Sequence, residues 1–125
     1  MTSVLNVDTI ADKAGTGPVG LTKQHAAKCW MNYNQNTPAI DDSFGISSVA
    51  DNATGDFIPS YSNSFVNVDY AMAGMACNTI FISMEDNNAQ TDRTTASSTR
   101  LLAMNYSGTQ SDQEQTMVTW HGDLA

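Results

Sequence analysis

Residues 29–61, CWMNYNQNTPAIDDSFGISSVADNATGDFIPSY, decide the fold class. Bulky and polar side chains alternate over residues 29–33, up to a polar loop at 34–37. A period of two marks a half-buried strand, because successive Cβ atoms point to opposite faces. Residues 43–49 read as a second strand with Phe44, Ile46 and Val49 as inward positions. Asp51-Asn52-Ala53-Thr54-Gly55 reads as a hairpin loop, since Asn and Gly accept positive φ. The chain returns over residues 56–61, where Pro59 lacks a ladder donor and marks an edge or a bulge.

The same signal recurs toward the C-terminus at residues 70–76, 79–85, 101–106 and 117–121, a spacing typical of sandwiches and barrels. Residues 70–76 are small or apolar on both faces, which predicts a central strand covered on two sides. Met72, Met75, Met84, Met104 and Met117 fall on these strands and are expected to fill core gaps. The long polar stretch 86–99 reads as a protruding loop, a binding loop, or a segment ordered only in an assembly. Helix competes only at 24–30 and 89–104, and the Thr and Ser residues of the second are poor helix formers. The expectation is an all-β fold of short antiparallel strands, a β-sandwich or barrel, over residues 29–125.

Residues 1–28 form a different unit. Short strand-like pieces at 4–10 and 19–22 flank a turn at Ala14-Gly15-Thr16-Gly17-Pro18. The segment is too short for its own core, so Val4, Leu5, Val7, Ile10, Val19 and Leu21 need a surface to cover them. A neighbouring copy of the chain is the economical one, which makes this an extended leader packed at an interface between copies.

The chain carries a net charge of −8 with only Lys13, Lys23, Lys28, Arg93 and Arg100 as basic residues. They do not cluster, which argues against nucleic acid as a partner. The apolar runs are far below the ~20 residues of a spanning helix, so no membrane partner is expected. Cys29 and Cys77 are too few for a disulfide scaffold; two reduced thiols packed as small apolar groups is the favoured reading, a single bridge the alternative.

No catalytic constellation is legible. His25 and His121, the only histidines, stand far apart in the sequence and read as satisfied or exposed imidazoles. Asp86, Asn88 and Asp92, or Asp41 with Asp42, supply oxygens for a cation, but the glycine and terminal Glu of a calcium loop are missing. They read as solvated loop residues. Trp30, Trp120, Tyr33, Tyr61, Tyr70 and Tyr106 suit core and interface packing better than a sugar platform. No cofactor, metal or catalytic residue is assigned.

Several motifs in fixed order carry a resemblance. Val7-Asp8-Thr9-Ile10, Gly15-Thr16-Gly17-Pro18-Val19, Leu21-Thr22-Lys23-Gln24 and Ala26-Ala27-Lys28 lead into Trp30. Asp42-Ser43-Phe44, Ile46-Ser47-Ser48-Val49, Asp51-Asn52 and Thr54-Gly55-Asp56-Phe57 follow. Together they resemble a segment of tail-fibre-like proteins of marine tailed bacteriophages and prophages, well over residues 3–70 and loosely after, at Gly122-Asp123-Leu124. The resemblance implies a non-enzymatic structural protein of the virion surface, made in the host cytoplasm, β-rich and homotrimeric.

In fibre proteins such a segment sits near the end of a longer chain, after an attachment region and a shaft. Here Met1 stands two residues ahead of the motif. The expectation is therefore a capsid decoration (cement) protein clamping capsomers of the major capsid protein, with the six leader residues at the capsid and trimer interface. The alternative is a tail fibre or baseplate tip whose loops 34–37 and 86–99 bind a host surface glycan.

Overall fold

The computed structural model describes residues 27–78, 80–84 and 94–125. Eight strands follow along it: β1 (Cys29–Asn34), β2 (Ala39–Phe44), β3 (Ile46–Ala53), β4 (Asp56–Tyr61), β5 (Ala71–Ala76), β6 (Ile80–Met84), β7 (Leu101–Met104) and β8 (Thr116–His121). No helix occurs among the described residues. Neighbours pair antiparallel in the order β2-β1-β8-β5-β6-β7-β4-β3. The ladder joining β5 to β6 is only two residue pairs long, Met75 with Phe81 and Ala76 with Ile80. There the series folds over, and β2-β1-β8-β5 packs on β6-β7-β4-β3 as a β-sandwich.

Alternation decides which side chains meet between the halves. Cys29, Met31 and Tyr33 of β1 and Val118 and Trp120 of β8 turn inward, as do Phe57 and Tyr61 of β4. Leu101 and Ala103 of β7 complete the core, both fully buried. Each large side chain removed from water stabilises the fold by roughly 1.5–3 kcal/mol. Ring contacts bridge the halves: Tyr33 to Phe57 at 5.6 Å between centroids, and Tyr61 to Trp120, T-shaped, at 5.5 Å.

The stretch read as one strand over 43–49 is two. Gly45 sits at φ +72, and a Cβ there would lie 2.9 Å from Cys29 Cβ and 3.0 Å from Lys28 O. Only glycine satisfies both the left-handed backbone and the close approach. The chain crosses at this point from β2 in one half to β3 in the other, so Phe44, expected inward, is 61% exposed. Ile46 and Val49 do pack on the core.

The hairpin expected at 51–55 is tighter, because β3 runs on to Ala53. Gly55 makes the turn at φ +67, and its carbonyl accepts the Ala103 N–H at 2.7 Å. Pro59 pairs with Val49 of β3, beyond the end of the two-pair ladder between β4 and β7. Its missing donor therefore costs nothing on the β7 side.

Two further expectations change. β5 lies centrally between β8 and β6, yet Ala71, Ala73 and Met75 are exposed, so one face is open. Of the polar stretch 86–99, the described part is a clasp and does not protrude. Thr94 bridges to Thr99, Tyr61 N–H donates to Ser97 O at 2.8 Å, and Phe65 N–H to Ala96 O at 2.8 Å.

A methyl group at Gly55 would meet Ala103 O and Ser111 N, each 2.7 Å away. Left-handed strain and the clash together predict that Gly55→Ala lowers the free energy of unfolding by about 3 kcal/mol. Urea denaturation measures this, and an unchanged midpoint would refute the assigned turn.

Candidate functional site

The outer face of β2-β1-β8-β5 is the surface that the fold leaves uncovered. Register places Phe44, Trp30, Thr119 and Ala73 in one row across the four strands. The next row is Asp42, Asn32, Met117 and Met75. Because inward positions are taken by Met31, Val118 and Trp120, their neighbours in sequence must point out. Met75 is 63% exposed, Met117 43% and Trp30 38%. Met75 and Met117 were expected in the core; the strands carry them as predicted, on the opposite face.

These side chains bound a shallow groove of about 510 Å³, with Trp30 on one side, Met75 on the other and Met117 between. Its polar groups are few. Asn32 Oδ1 is buried and takes no hydrogen bond from any described residue, an expensive state for an amide oxygen. Along the same face, two pairs beyond Thr119 and Ala73, His121 pairs with Ala71. There a second groove of about 400 Å³ is lined by Val66, Asp69, His121 and Asp123. The outer face is thus apolar at its centre and acidic at one end.

The polar chemistry inside the fold is bound to structural tasks. Asp56, 5% exposed, takes a bidentate pair from Arg100: Nε to Oδ1 at 2.9 Å and Nη2 to Oδ2 at 2.5 Å. Asp112 Oδ1 accepts the Gly55 N–H at 2.6 Å. Gln35, expected in a polar loop, is buried, and its Oε1 accepts both Gln113 N–H at 3.2 Å and Thr116 Oγ1 at 3.0 Å. Sequence reasoning missed this anchor because nothing in residues 34–37 announces that one side chain turns inward.

Thr99 Oγ1 forms hydrogen bonds with the hydroxyls of Tyr61 and Tyr70, and Tyr70 OH also donates to Thr95 O at 2.9 Å. Burial raises the titration of both tyrosine hydroxyls, that of Tyr61 strongly, an effect that the Thr99 hydrogen bond partly offsets. Burial likewise pushes the Cys29 thiol up to about 12. A thiol kept neutral this way is a poor nucleophile. Cys29 and Cys77 are both free, and no cluster of three potential metal ligands occurs among the described residues.

Of the residues assigned to the interface from sequence, Val4, Leu5, Val7, Ile10, Val19 and Leu21 lie outside the described residues, as do Asp86, Asn88, Asp92 and His25. Asp41 and Asp42 stand exposed on the edge strand β2. Trp120, Tyr33 and Tyr61 are core residues as expected, whereas Tyr106 is 90% exposed.

The raised thiol and phenols set a pH dependence. In the unfolded chain Cys29 loses its proton near 9 and the tyrosines near 10, while the folded chain retains them. Above pH 9 the unfolded state binds fewer protons, so stability falls with rising pH. Urea midpoints should be level between pH 7 and 8.5 and drop steadily from pH 9 to 12. In native protein at pH 8, a thiol reagent should label Cys77 and spare Cys29; equal labelling would contradict the burial.

Comparison with models of known protein families, with curated proteins and with solved structures finds no match to this chain.

Proposed function

We propose that the chain is a non-enzymatic structural module of a tailed bacteriophage virion, displayed on the particle surface as a homotrimer. Its favoured place is the capsid, as a decoration (cement) protein that clamps capsomers of the major capsid protein. The observation that carries the associating role is the outer sheet face, where Phe44, Trp30, Met117 and Met75 stand exposed side by side. Isolated exposed apolar residues are ordinary on any protein, but a patch of them spread over two adjacent rows is the mark of an interaction surface. The virion assignment is supported by the motif string of residues 3–70, and the non-enzymatic one by the internal use of Asp56, Arg100, Tyr61, Tyr70 and Thr99.

Burying such a face is worth ~25 cal/mol per Å² of apolar area. A specific interface needs roughly 1,000 Å² or more in total, more than this groove alone offers. The leader's apolar residues supply the remainder. Repetition over a lattice multiplies a modest footprint.

A second reading keeps one observation of its own: Trp30 presents an indole on the open face beside Asn32 and Thr119. An aromatic face flanked by hydrogen-bonding groups also suits a sugar ring, as a fibre or baseplate tip bound to a host surface glycan would require.

Light scattering on the purified chain should give three times the 13.4 kDa of one copy. Removal of residues 1–26 should leave the strand signature in circular dichroism and abolish binding to undecorated particles. A single-chain mass at micromolar concentration sinks the trimer. Saturable binding to host cells, lost in Trp30→Ala, would move the assignment from clamp to adhesin.

A further inference from the structure

Register brings four connections to one end of the sandwich: 35–38 after β1, 54–55 after β3, 77–78 after β5 and 105–115 after β7. They are locked to one another from beneath. Gln113, 5% exposed, donates its N–H to Gln35 Oε1 at 3.2 Å and accepts the Gln35 N–H on its own carbonyl at 2.8 Å. Its side-chain Oε1 accepts Asn78 Nδ2 at 3.2 Å, while Asp112 holds the Gly55 N–H. Loops fixed in this way lose their freedom on folding, so a ligand bound there does not have to order them.

The 105–109 turn is closed by the same means. Asn105 Oδ1 accepts the N–H groups of Ser107 at 3.0 Å and Thr109 at 2.9 Å, and Asn105 N–H donates to Thr109 O at 3.0 Å. On this braced turn stands Tyr106, 90% exposed, the most open of the large apolar side chains among the described residues. A turn tip asks only for Gly, Asn, Asp or Ser, so the fold does not require a phenol there. Tyrosine beside Asn, Ser and Gly is the composition of recognition loops, which join a rigid aromatic to adaptable hydrogen-bonding groups.

The surrounding chemistry selects the ligand. Asn36, Thr37, Thr54, Asn78, Ser107 and Thr109 present exposed amides and hydroxyls. The four connections hold no lysine or arginine, in a chain of net charge −8, so a phosphate or carboxylate finds repulsion and no partner. Anchors at protein interfaces sit in a desolvated centre, yet no other large apolar side chain is exposed in these connections. A sugar ring asks for what is present: an aromatic plane under its C–H face, and amides and hydroxyls for its rim of hydroxyls.

We propose that this loop end is a binding site for a neutral glycan, with Tyr106 as the stacking platform and the amide and hydroxyl side chains of the connections at its rim. The site is distinct from the open face of Trp30. It goes beyond the clamp reading and does not depend on it.

The test probes a printed panel of oligosaccharides with the fluorescently labelled full chain. The panel sets neutral members ending in glucose, galactose or N-acetylhexosamine beside sialylated and phosphorylated ones. Saturable binding to neutral members is expected, unchanged from about 50 to about 500 mM salt because no ion pair is involved. Tyr106→Ala should weaken it roughly tenfold or more, and Tyr106→Phe should retain it, since the ring carries the stack. Both variants should keep the urea midpoint of the parent, because position 106 is exposed.

Failure to bind any neutral member, or binding confined to the anionic ones, overturns the site. Binding that survives Tyr106→Ala and is lost in Trp30→Ala overturns it too, and moves the sugar to the outer face. If Tyr106→Ala abolishes attachment to undecorated particles while the parent chain binds no sugar, the tyrosine is a protein contact and the glycan site falls. Particle attachment is measured apart from the panel, so the clamp and the glycan site can each fail alone.

Discussion

The T-shaped contact between the rings of Tyr61 and Trp120 is the one on which the sandwich depends. Trp120 comes from β8 and Tyr61 from β4, so the pair joins the two halves of the fold, and both rings are buried. A buried hydroxyl without a partner, such as that of Tyr33, costs free energy, so the Tyr61 hydroxyl calls for one. Thr99 meets that demand and binds Tyr70 as well, which ties β4, the residue before β5 and the segment before β7 to one side-chain oxygen. Phe65 then packs edge-on to Tyr61 and stacks on Tyr70 at 4.3 Å, closing the same corner with aromatic surface. Segment 94–99 is therefore a structural strap: its backbone carries ladder bonds to Tyr61 and Phe65, and its last residue completes a buried polar network.

With the inner faces committed, the outer faces differ in consequence. Strands β1, β8 and β5 must alternate, so every residue next to a core position is sent outward whatever its character. On most sheets the outward set is polar. Here it includes a tryptophan and two methionines in adjacent strands, a surface that gains free energy when covered. Methionine suits such a role, since its flexible thioether adapts to whatever packs on it.

The edges of the sheet are handled differently. β2 and β3 end the strand order, and a free edge invites pairing with other chains. β2 carries Asp41 and Asp42 exposed, and β3 carries irregularities of register between Ile46 and Ser48 and between Asp51 and Ala53. Charge and bulges both discourage edge-to-edge addition. The apolar surface left open is therefore the face and not the edge.

Strand character was legible in the residues, because a period of two and the turn preferences of Asn and Gly are local properties. Residues 29–33, 56–61 and 117–121 fall within a residue of strands β1, β4 and β8 for that reason. What the residues did not reveal was which strands are neighbours, since hydrogen-bonded order arises from contacts far apart in the chain. By local pattern Gly45 reads as the interior of one strand; the approach of Cys29 and Lys28, distant in sequence, makes it a corner. Met75 and Met117 looked like core until their strands were set side by side, with one face already filled by Val118 and Trp120. Composition and alternation by themselves determined an all-β chain. Which face it buries, and so which face it offers, was decided only by tertiary packing, because a sheet has two faces and the sequence pattern is the same seen from either.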